Sequence, residues 1–382
     1  MSRQQLTRGL LVLFALFFFR LASALPEVKR QDFTHSIPKK DPTLKLTLGL
    51  QSRVLWTRQL AAPILFTPQL LDQTPVVATS DSELVRFSGS GEIQWSSHLS
   101  SSAAAAPLIS NGNVLVFTRG GVLLRIGPDG KLVERIQIWQ SGSDSRAWLE
   151  QLSDGSTLLV QGRSLLHLDP WGRLRTQTRV QGEVVALATS KGHTTTVDTS
   201  GRVQRWDHEQ QAEHLGSVAH ARATSIGGVV IYTSGVEGIR SWNMETQRYF
   251  PTQTPPGAKL IGKLAIAGAE RPTLWSRARG NLLVRVHLGQ AELIPLGAPA
   301  RRPTPSIKPL PYGKNNVAFV SDSGHLGFWV DGKRHRSQAR CSSPVGVVIE
   351  GANVVYACSS GTVHALLLSE ANAAAIQTRE AL

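Results

Sequence analysis

The sequence predicts an all-β fold, an eight-bladed β-propeller of four-stranded antiparallel blades whose ring is closed by an N-terminal strand. Three observations predict it. A unit of about 40 residues recurs eight times. Within each unit, short runs rich in β-branched and aromatic residues end at Gly, Asp, Asn or Ser. Almost nothing before residue 369 carries the apolar period of an amphipathic helix.

The last unit, "CSSPVGVVIEGANVVYACSSGTVHALLL" at 341–368, shows the pattern most plainly. Three apolar runs are separated by Glu350-Gly351-Ala352-Asn353 and by Ser359-Ser360-Gly361. Clear copies begin at Asn111 ("NGNVLVFTRGGVLLRIGPDGKLVERIQI") and at Asn315 ("NNVAFVSDSGHLGFWVDGKRHRSQA"), and fainter ones at Thr74, Gly155, Thr194, Gly228 and Pro272. One apolar marker in the first run of each unit gives Val76, Val114, Leu158, Val197, Val230, Leu274, Val317 and Val354. Their steps are 38, 44, 39, 33, 44, 43 and 37, the period at which propeller blades repeat.

A four-stranded sheet that is apolar on both faces cannot bury itself, so blades must stack around an axis and cover one another. A second recurring position supports this: Phe87, Ile126, Leu168, Trp206, Trp242, Val286, Trp329 and Leu366 each follow the second turn of a unit. Large rings at such an address serve packing between blades rather than a binding platform.

The two ends complete each other. A fourth strand follows the third turn in "GEIQW" and "GKLVERI", whereas the last unit runs instead into "SEANAAAIQTREAL". The missing strand is supplied by "VLWTRQL", Val54 to Leu60, which lies ahead of the first unit. Pairing it with the last unit removes the open edges that invite aggregation.

Residues 1–24 read as an export signal. Arg3 and Arg8 precede the apolar run 9–19, and Ala22-Ser23-Ala24 offers small residues for cleavage. Arg20 interrupts the run well short of the ~20 apolar residues of a spanning helix. The expected division is a signal peptide at 1–24, a linker at 25–52, the propeller at 53–368 and a tail at 369–382. The mature chain is expected in a bacterial periplasm or at the cell surface, without a transmembrane segment. No cysteine near the cleavage site offers itself for lipid attachment.

Residues 1–24 hold three of the 41 basic residues and none of the 27 acidic ones, so the remaining chain carries a net charge of +11. That balance suits an anionic surface, a glycan or lipid head groups, but the cations read as dispersed. The short clusters are Lys39-Lys40, Arg301-Arg302 and "GKRHR" at 332–336. A solvated basic surface is the expectation, with no nucleic-acid partner.

No catalytic motif emerges. The eleven histidines lack zinc-site spacing, and there is neither a Gly-x-Ser-x-Gly elbow nor a phosphate-binding loop. Cys341 and Cys358 are the only cysteines, and export permits a disulfide between them. A straight hairpin ladder sets Cys358 opposite Val345, leaving Cys341 roughly 13 Å away. Only a bend at Ser342-Ser343-Pro344 closes that gap, so bonded and free cysteines both stay open. The Pro-rich connection "APARRPTPSIKPLPYGK" carries Arg301, Arg302, Lys308 and Lys314 on an extended loop. It is the candidate partner-binding loop, against the alternative of a plain connector.

The patterns "SPVG…GANVVYACSSGTVHAL", "APLISNGNVLVFTRGGVLLRI" and "GEIQW" resemble the repeat of the pyrroloquinoline-quinone-like β-propellers, over residues 54–368. That superfamily includes quinoprotein alcohol dehydrogenases and the cofactor-free propeller subunit of the outer-membrane β-barrel assembly machinery. Gly91 and Trp95 match the fuller repeat, while Val85 and Phe87 replace an expected Ala and Asp. A quinoprotein resemblance would imply a calcium ligand set and adjacent cysteines, and the sequence has neither. No cofactor is expected. The implied function is a non-enzymatic scaffold that holds protein partners in the cell envelope, with outer-membrane protein assembly as the role the resemblance suggests. The alternatives are an anionic glycan or lipid binder and a degenerate quinone-dependent dehydrogenase.

Overall fold

The computed structural model describes residues 50–370 apart from 140–146, 153, 191–192, 208–211, 219–223, 228–229, 236–237, 252–257, 268–271, 288–289, 301–302, 306 and 313–315. The export segment at 1–24, most of the expected linker and the end of the tail lie outside these residues.

Eight four-stranded antiparallel sheets form the eight blades, each running from an inner to an outer strand. Blade 1 is Gln69–Leu71, Thr74–Ala78, Glu83–Phe87 and Ile93–His98. Blade 2 is Leu108–Ser110, Asn113–Phe117, Val122–Ile126 and Leu132–Gln137, and blade 3 is Ala147–Gln151, Thr157–Gln161, Ser164–Leu168 and Leu174–Arg179. Blade 4 is Val184–Ser190, His193–Asp198, Arg202–Trp206 and Ala212–Ser217, and blade 5 is Thr224–Gly227, Val230–Gly235, Gly238–Asn243 and Arg248–Pro251. Blade 6 is Leu260–Ala267, Thr273–Ala278, Leu282–His287 and Gln290–Pro295, and blade 7 is Leu310–Tyr312, Asn316–Val320, His325–Val330 and Lys333–Arg340. Blade 8 takes Pro344–Glu350, Asn353–Cys358 and Thr362–Glu370 from the end of the chain and its outer strand, Leu50–Gln59, from the beginning.

That outer strand closes the ring. Val54 lies opposite Leu366 and Gln59 opposite Thr362, with a bulge at Leu55. Its ladder continues to the pair Leu50 and Glu370. The first strand therefore begins inside the stretch expected to be linker, and the last ends inside the stretch expected to be tail. The apolar pattern marks only the buried part of a ladder, whereas backbone pairing continues past it.

The core is divided among the eight seams between blades. Alternating side chains of a strand point to opposite faces, so each blade feeds two seams. In Asn113–Phe117, Val114 and Val116 pack toward blade 1, while Leu115 and Phe117 pack toward blade 3. In Asn353–Cys358, Val354 and Tyr356 face blade 7, and Val355 and Ala357 face blade 1. The recurring position after the second turn consistently faces the preceding blade. Phe87 turns to blade 8, Ile126 to blade 1, Trp206 to blade 3 and Trp242 to blade 4.

Gly91 and Trp95 belong to one repeat but do not meet. Trp95 lies over Gly130 of blade 2, where a Cβ would sit 2.7 Å from the ring, and its Nε1 donates to the Pro128 carbonyl at 2.9 Å. Gly91 is covered in the same way by Trp56 of blade 8, whose Nε1 donates to the Gly89 carbonyl at 2.9 Å. Both glycines have positive φ, which together with the ring contact requires the missing side chain. The outer strand of one blade thus clamps the third turn of the next.

The cysteines are joined, with Cα atoms 5.5 Å apart. A bulge at Val345 sets Pro344, rather than Val345, opposite Cys358. The chain before it bends so that the Ser343 carbonyl accepts from Ser359 N at 2.8 Å. The straight-ladder separation is thereby removed, and the end of blade 7 is tied to the second strand of blade 8. The bonded positions are separated by 17 in the sequence, and the chain-entropy argument assigns the bond about 3 kcal/mol. Cys358→Ala is expected to lower the unfolding free energy by about that amount in urea titrations. Reduced wild-type protein should match it, and an unchanged midpoint would show the bond to be thermodynamically silent.

Candidate interaction surface

Large apolar side chains that stay exposed are confined to the perimeter. Ile93 (56% exposed), Leu132 (57%) and Leu174 (47%) are each the first residue of an outer strand. Each stands two residues after a positive-φ glycine of the third turn, namely Gly91, Gly130 and Gly172. The turn sends the chain outward, and the outer strand has no further strand to cover it. Val133, Trp171 and the bulged Leu55 add to the set. Six of the nine exposed large apolar residues among those described therefore lie on the outer edges of the consecutive blades 8, 1, 2 and 3, while Tyr249, Phe250 and Leu293 lie on the outer strands of blades 5 and 6. Arg125 of blade 2 sits 5.9 Å above the Trp171 ring of blade 3 and is fixed by Glu134 at 2.9 Å. A recurring exposed apolar edge of this kind marks an interaction surface.

The signal was present in the sequence as "GEI", "GKL" and "GRL" at the start of three outer strands. Alternation alone does not tell which apolar residues face a neighbouring blade and which face solvent.

Of the candidate loop, Arg301, Arg302 and Lys314 lie outside the described residues. Lys308 is exposed. The connection around it is held against blade 7. Thr304 N donates to the Asp322 carbonyl at 2.9 Å, Thr304 Oγ1 to the Ser321 carbonyl at 3.1 Å, and Ile307 packs on the seam between blades 7 and 8.

Two constellations bear on chemistry. Asp154, Ser156 and His167 form a chain in blade 3, with His167 Nε2 2.8 Å from Ser156 Oγ. The serine hydroxyl donates to Asp154 Oδ1 at 2.5 Å, so its proton points away from the imidazole that would have to accept it in nucleophilic catalysis. Ser156 is also fully buried. Burial holds the His167 pKa below its usual value, partly offset by Asp154. The arrangement staples the first turn of the blade.

Ligand-type atoms of Cys341, Cys358 and His364 lie within 4.8 Å of one another and are the residues best placed to hold a metal. The sulfurs are bonded to each other. His364 Nδ1 is 2.9 Å from Thr57 Oγ1, and its Nε2 is 3.2 Å from the Arg340 carbonyl. Every donor of the set is already engaged, which makes it a cross-link at the seam of blades 7 and 8. Among the described residues no helix is long and apolar enough to cross a membrane.

Comparison with solved structures places this architecture among known propellers. BamB from Moraxella catarrhalis is 13% identical, with 84% of this chain and 100% of that one covered at a TM-score of 0.60. The computationally designed Ika8 protein is 16% identical, with 81% and 98% covered at a TM-score of 0.64. Virginiamycin B lyase from Staphylococcus aureus is 12% identical, with 84% and 100% covered at a TM-score of 0.52. Likeness at these identities shows the fold alone, and one fold hosts unrelated activities. No curated protein matches the sequence. A family profile described as outer membrane protein assembly factor BamB matches residues 50–166 and 90–282, more than half of the chain. The chain is a pyrroloquinoline-quinone-like β-propeller and belongs to the family of the outer membrane protein assembly factor BamB.

Proposed function

We propose that the protein is a non-enzymatic scaffold of the bacterial cell envelope that holds protein partners on its perimeter, in the service of outer-membrane protein assembly. The observation that carries this is the exposed apolar edge repeated on blades 8, 1, 2 and 3, in a chain of the BamB family. Apolar side chains in such a row dock an apolar segment of another protein. The rigid ring presents them at fixed positions, and residues 1–24 supply the expected export.

Photo-crosslinkable residues at Ile93, Leu132 and Trp171, one at a time in the producing bacterium, are expected to yield discrete adducts with envelope proteins. The same residue at the exposed, polar Glu245 is expected to yield none. Equal labelling at all four positions, or no adduct at any, would remove the proposal.

A further inference from the structure

Six of the cations gather on the rim of two adjacent blades. The outer strand of blade 7, Lys333–Arg340, carries Lys333, Arg334, Arg336 and Arg340 and no acidic residue. Beside it the outer strand of blade 8, Leu50–Gln59, adds Arg53 and Arg58, again without an acid. No other outer strand has more than two cations. Among the described residues none of these six forms an ion pair. Arg334 Nη1 reaches the Pro295 carbonyl at 3.5 Å, Arg340 Nε the Ser323 carbonyl at 3.1 Å, and Arg58 Nε the Gly91 carbonyl at 2.7 Å. Neutral carbonyls aim these guanidinium groups without cancelling their charge.

The blade 7 cations are ordered. Arg334, Arg336, Gln338 and Arg340 are exposed, while Ser337 and Ala339 are buried and His335 is half-buried. Three arginines therefore share one face of a strand, with Arg334 and Arg336 about 6.7 Å apart along it and a bulge between Arg336 and Arg340. Among the described residues the strand's sole ladder partner is His325–Val330, and the outer strand of blade 8 lies beside it without backbone pairing.

Beneath the row is a cleft, lined among others by Phe319, Ser321, Ser323, His325, Arg334 and Arg336. Ser321 Oγ and Ser323 Oγ lie 3.1 Å apart. His325 Nδ1 is buried there, with the Ser337 backbone within reach of the imidazole. Charged edge strands also discourage aggregation. That role needs charge alone, not arginines ranged over a cleft that holds an imidazole.

We propose that this rim docks an extended, acidic segment of a partner protein. Carboxylates at alternate positions of the segment pair with Arg334, Arg336 and Arg340, and one of them enters the cleft to meet His325. Strand-to-edge docking gives both chains the same two-residue repeat, and guanidinium groups suit planar carboxylates. The inference rests on the scaffold reading and deepens it, because the apolar edge begins next door at Leu55. It names the kind of sequence a partner should carry beside its apolar segment.

The test uses the purified protein and two fluorescein-labelled twelve-residue peptides of equal composition, one with Glu at alternate positions and one with its Glu residues contiguous. Fluorescence anisotropy is expected to show at least tenfold tighter binding of the alternating peptide, weakening as salt is added. R334E/R336E should reduce that binding at least tenfold with an unchanged melting temperature, and H325F should reduce it severalfold. Equal binding of both peptides would overturn the proposal, as would binding that survives R334E/R336E. Phosphatidylglycerol vesicles or inorganic phosphate binding in place of the peptides would overturn it in favour of a phosphate-bearing ligand. Crosslinks from Ile93, Leu132 and Trp171 are independent of these outcomes, so loss of the acidic dock leaves the scaffold reading standing.

Discussion

Deletion of Leu50–Gln59 is expected to abolish the cooperative unfolding of the protein and leave an aggregating chain. The strand is the only one in its blade that comes from the other end of the sequence. Without it Thr362–Glu370 becomes a bare edge, and its buried residues Val363 and Leu366 lose their cover. The clamp on blade 1 goes as well, because Trp56 covers Gly91 and lies 5.4 Å from the Phe87 ring. The milder Trp56→Ala removes a half-buried ring and its hydrogen bond to Gly89, and should cost about 3 kcal/mol. Urea titrations followed by circular dichroism, with light scattering for aggregation, measure both. A deletion variant that remains monomeric with an unaltered midpoint would show that the ring does not depend on its closing strand.

Arg277→Met is expected to be the most damaging single substitution away from that strand, at about 3–5 kcal/mol. Arg277 is 2% exposed and lies in blade 6, yet its Nη2 reaches Asp322 of blade 7 at 2.6 Å. Nη1 donates to the Val320 carbonyl, and Asn281 Oδ1 accepts from Arg277 Nη2 at 3.3 Å and from Asp322 N at 2.9 Å. Burial pushes the guanidinium pKa down and the carboxylate pushes it back up. Removing the cation leaves a carboxylate only 10% exposed with no counter-charge, and the carbonyl of Val320 loses its charged donor. Replacing both partners, as Arg277→Met with Asp322→Leu, should recover most of the loss, since a buried ion pair contributes little beyond an apolar pair of similar size. The unfolding midpoints of the two single variants and the double variant form the cycle that decides it. A double variant as unstable as Arg277→Met would assign the effect to lost packing of the arginine stem.

The two predictions differ in how far the sequence announced them. The closing strand could be read from the last repeat, which lacks a fourth run, and from the stray run "VLWTRQL" at the other end. The ion pair could not be read at all. Arg277 lies in "PTLWSRARG" and Asp322 in "SDSGH", 45 residues apart. Each looks like an ordinary turn-flanking charge, and only the stacking of blade 6 on blade 7 buries them together. The disulfide falls between these cases. Its cysteines were visible, but pairing depended on a one-residue bulge at Val345, and bulges follow from packing rather than from composition.

The candidate surface divides in the same way. The apolar residues after the third-turn glycines were present as a recurring pair of letters, yet period-2 alternation does not distinguish a side chain facing the next blade from one facing water. The Pro-rich loop stands out in the sequence by its charge, whereas the ordered cations lie on an outer strand. "GKRHR" is a cluster already in the sequence. That its arginines share a face with Arg340 became apparent only once Ser337 and Ala339 were seen to be buried.

By itself, the sequence determined the number of blades, the strands within them, the recurring position that packs between blades, and the identity of the closing strand. These are local and periodic properties, written into turn residues and alternating apolar runs and repeated often enough to be recognised. Only the tertiary structure decided which charges are buried in pairs, which apolar residues are left at the perimeter, and how six cations from the two ends of the chain come to share a rim. Those outcomes depend on contacts between residues far apart in the chain, fixed by how one blade packs on the next, and no local pattern records them.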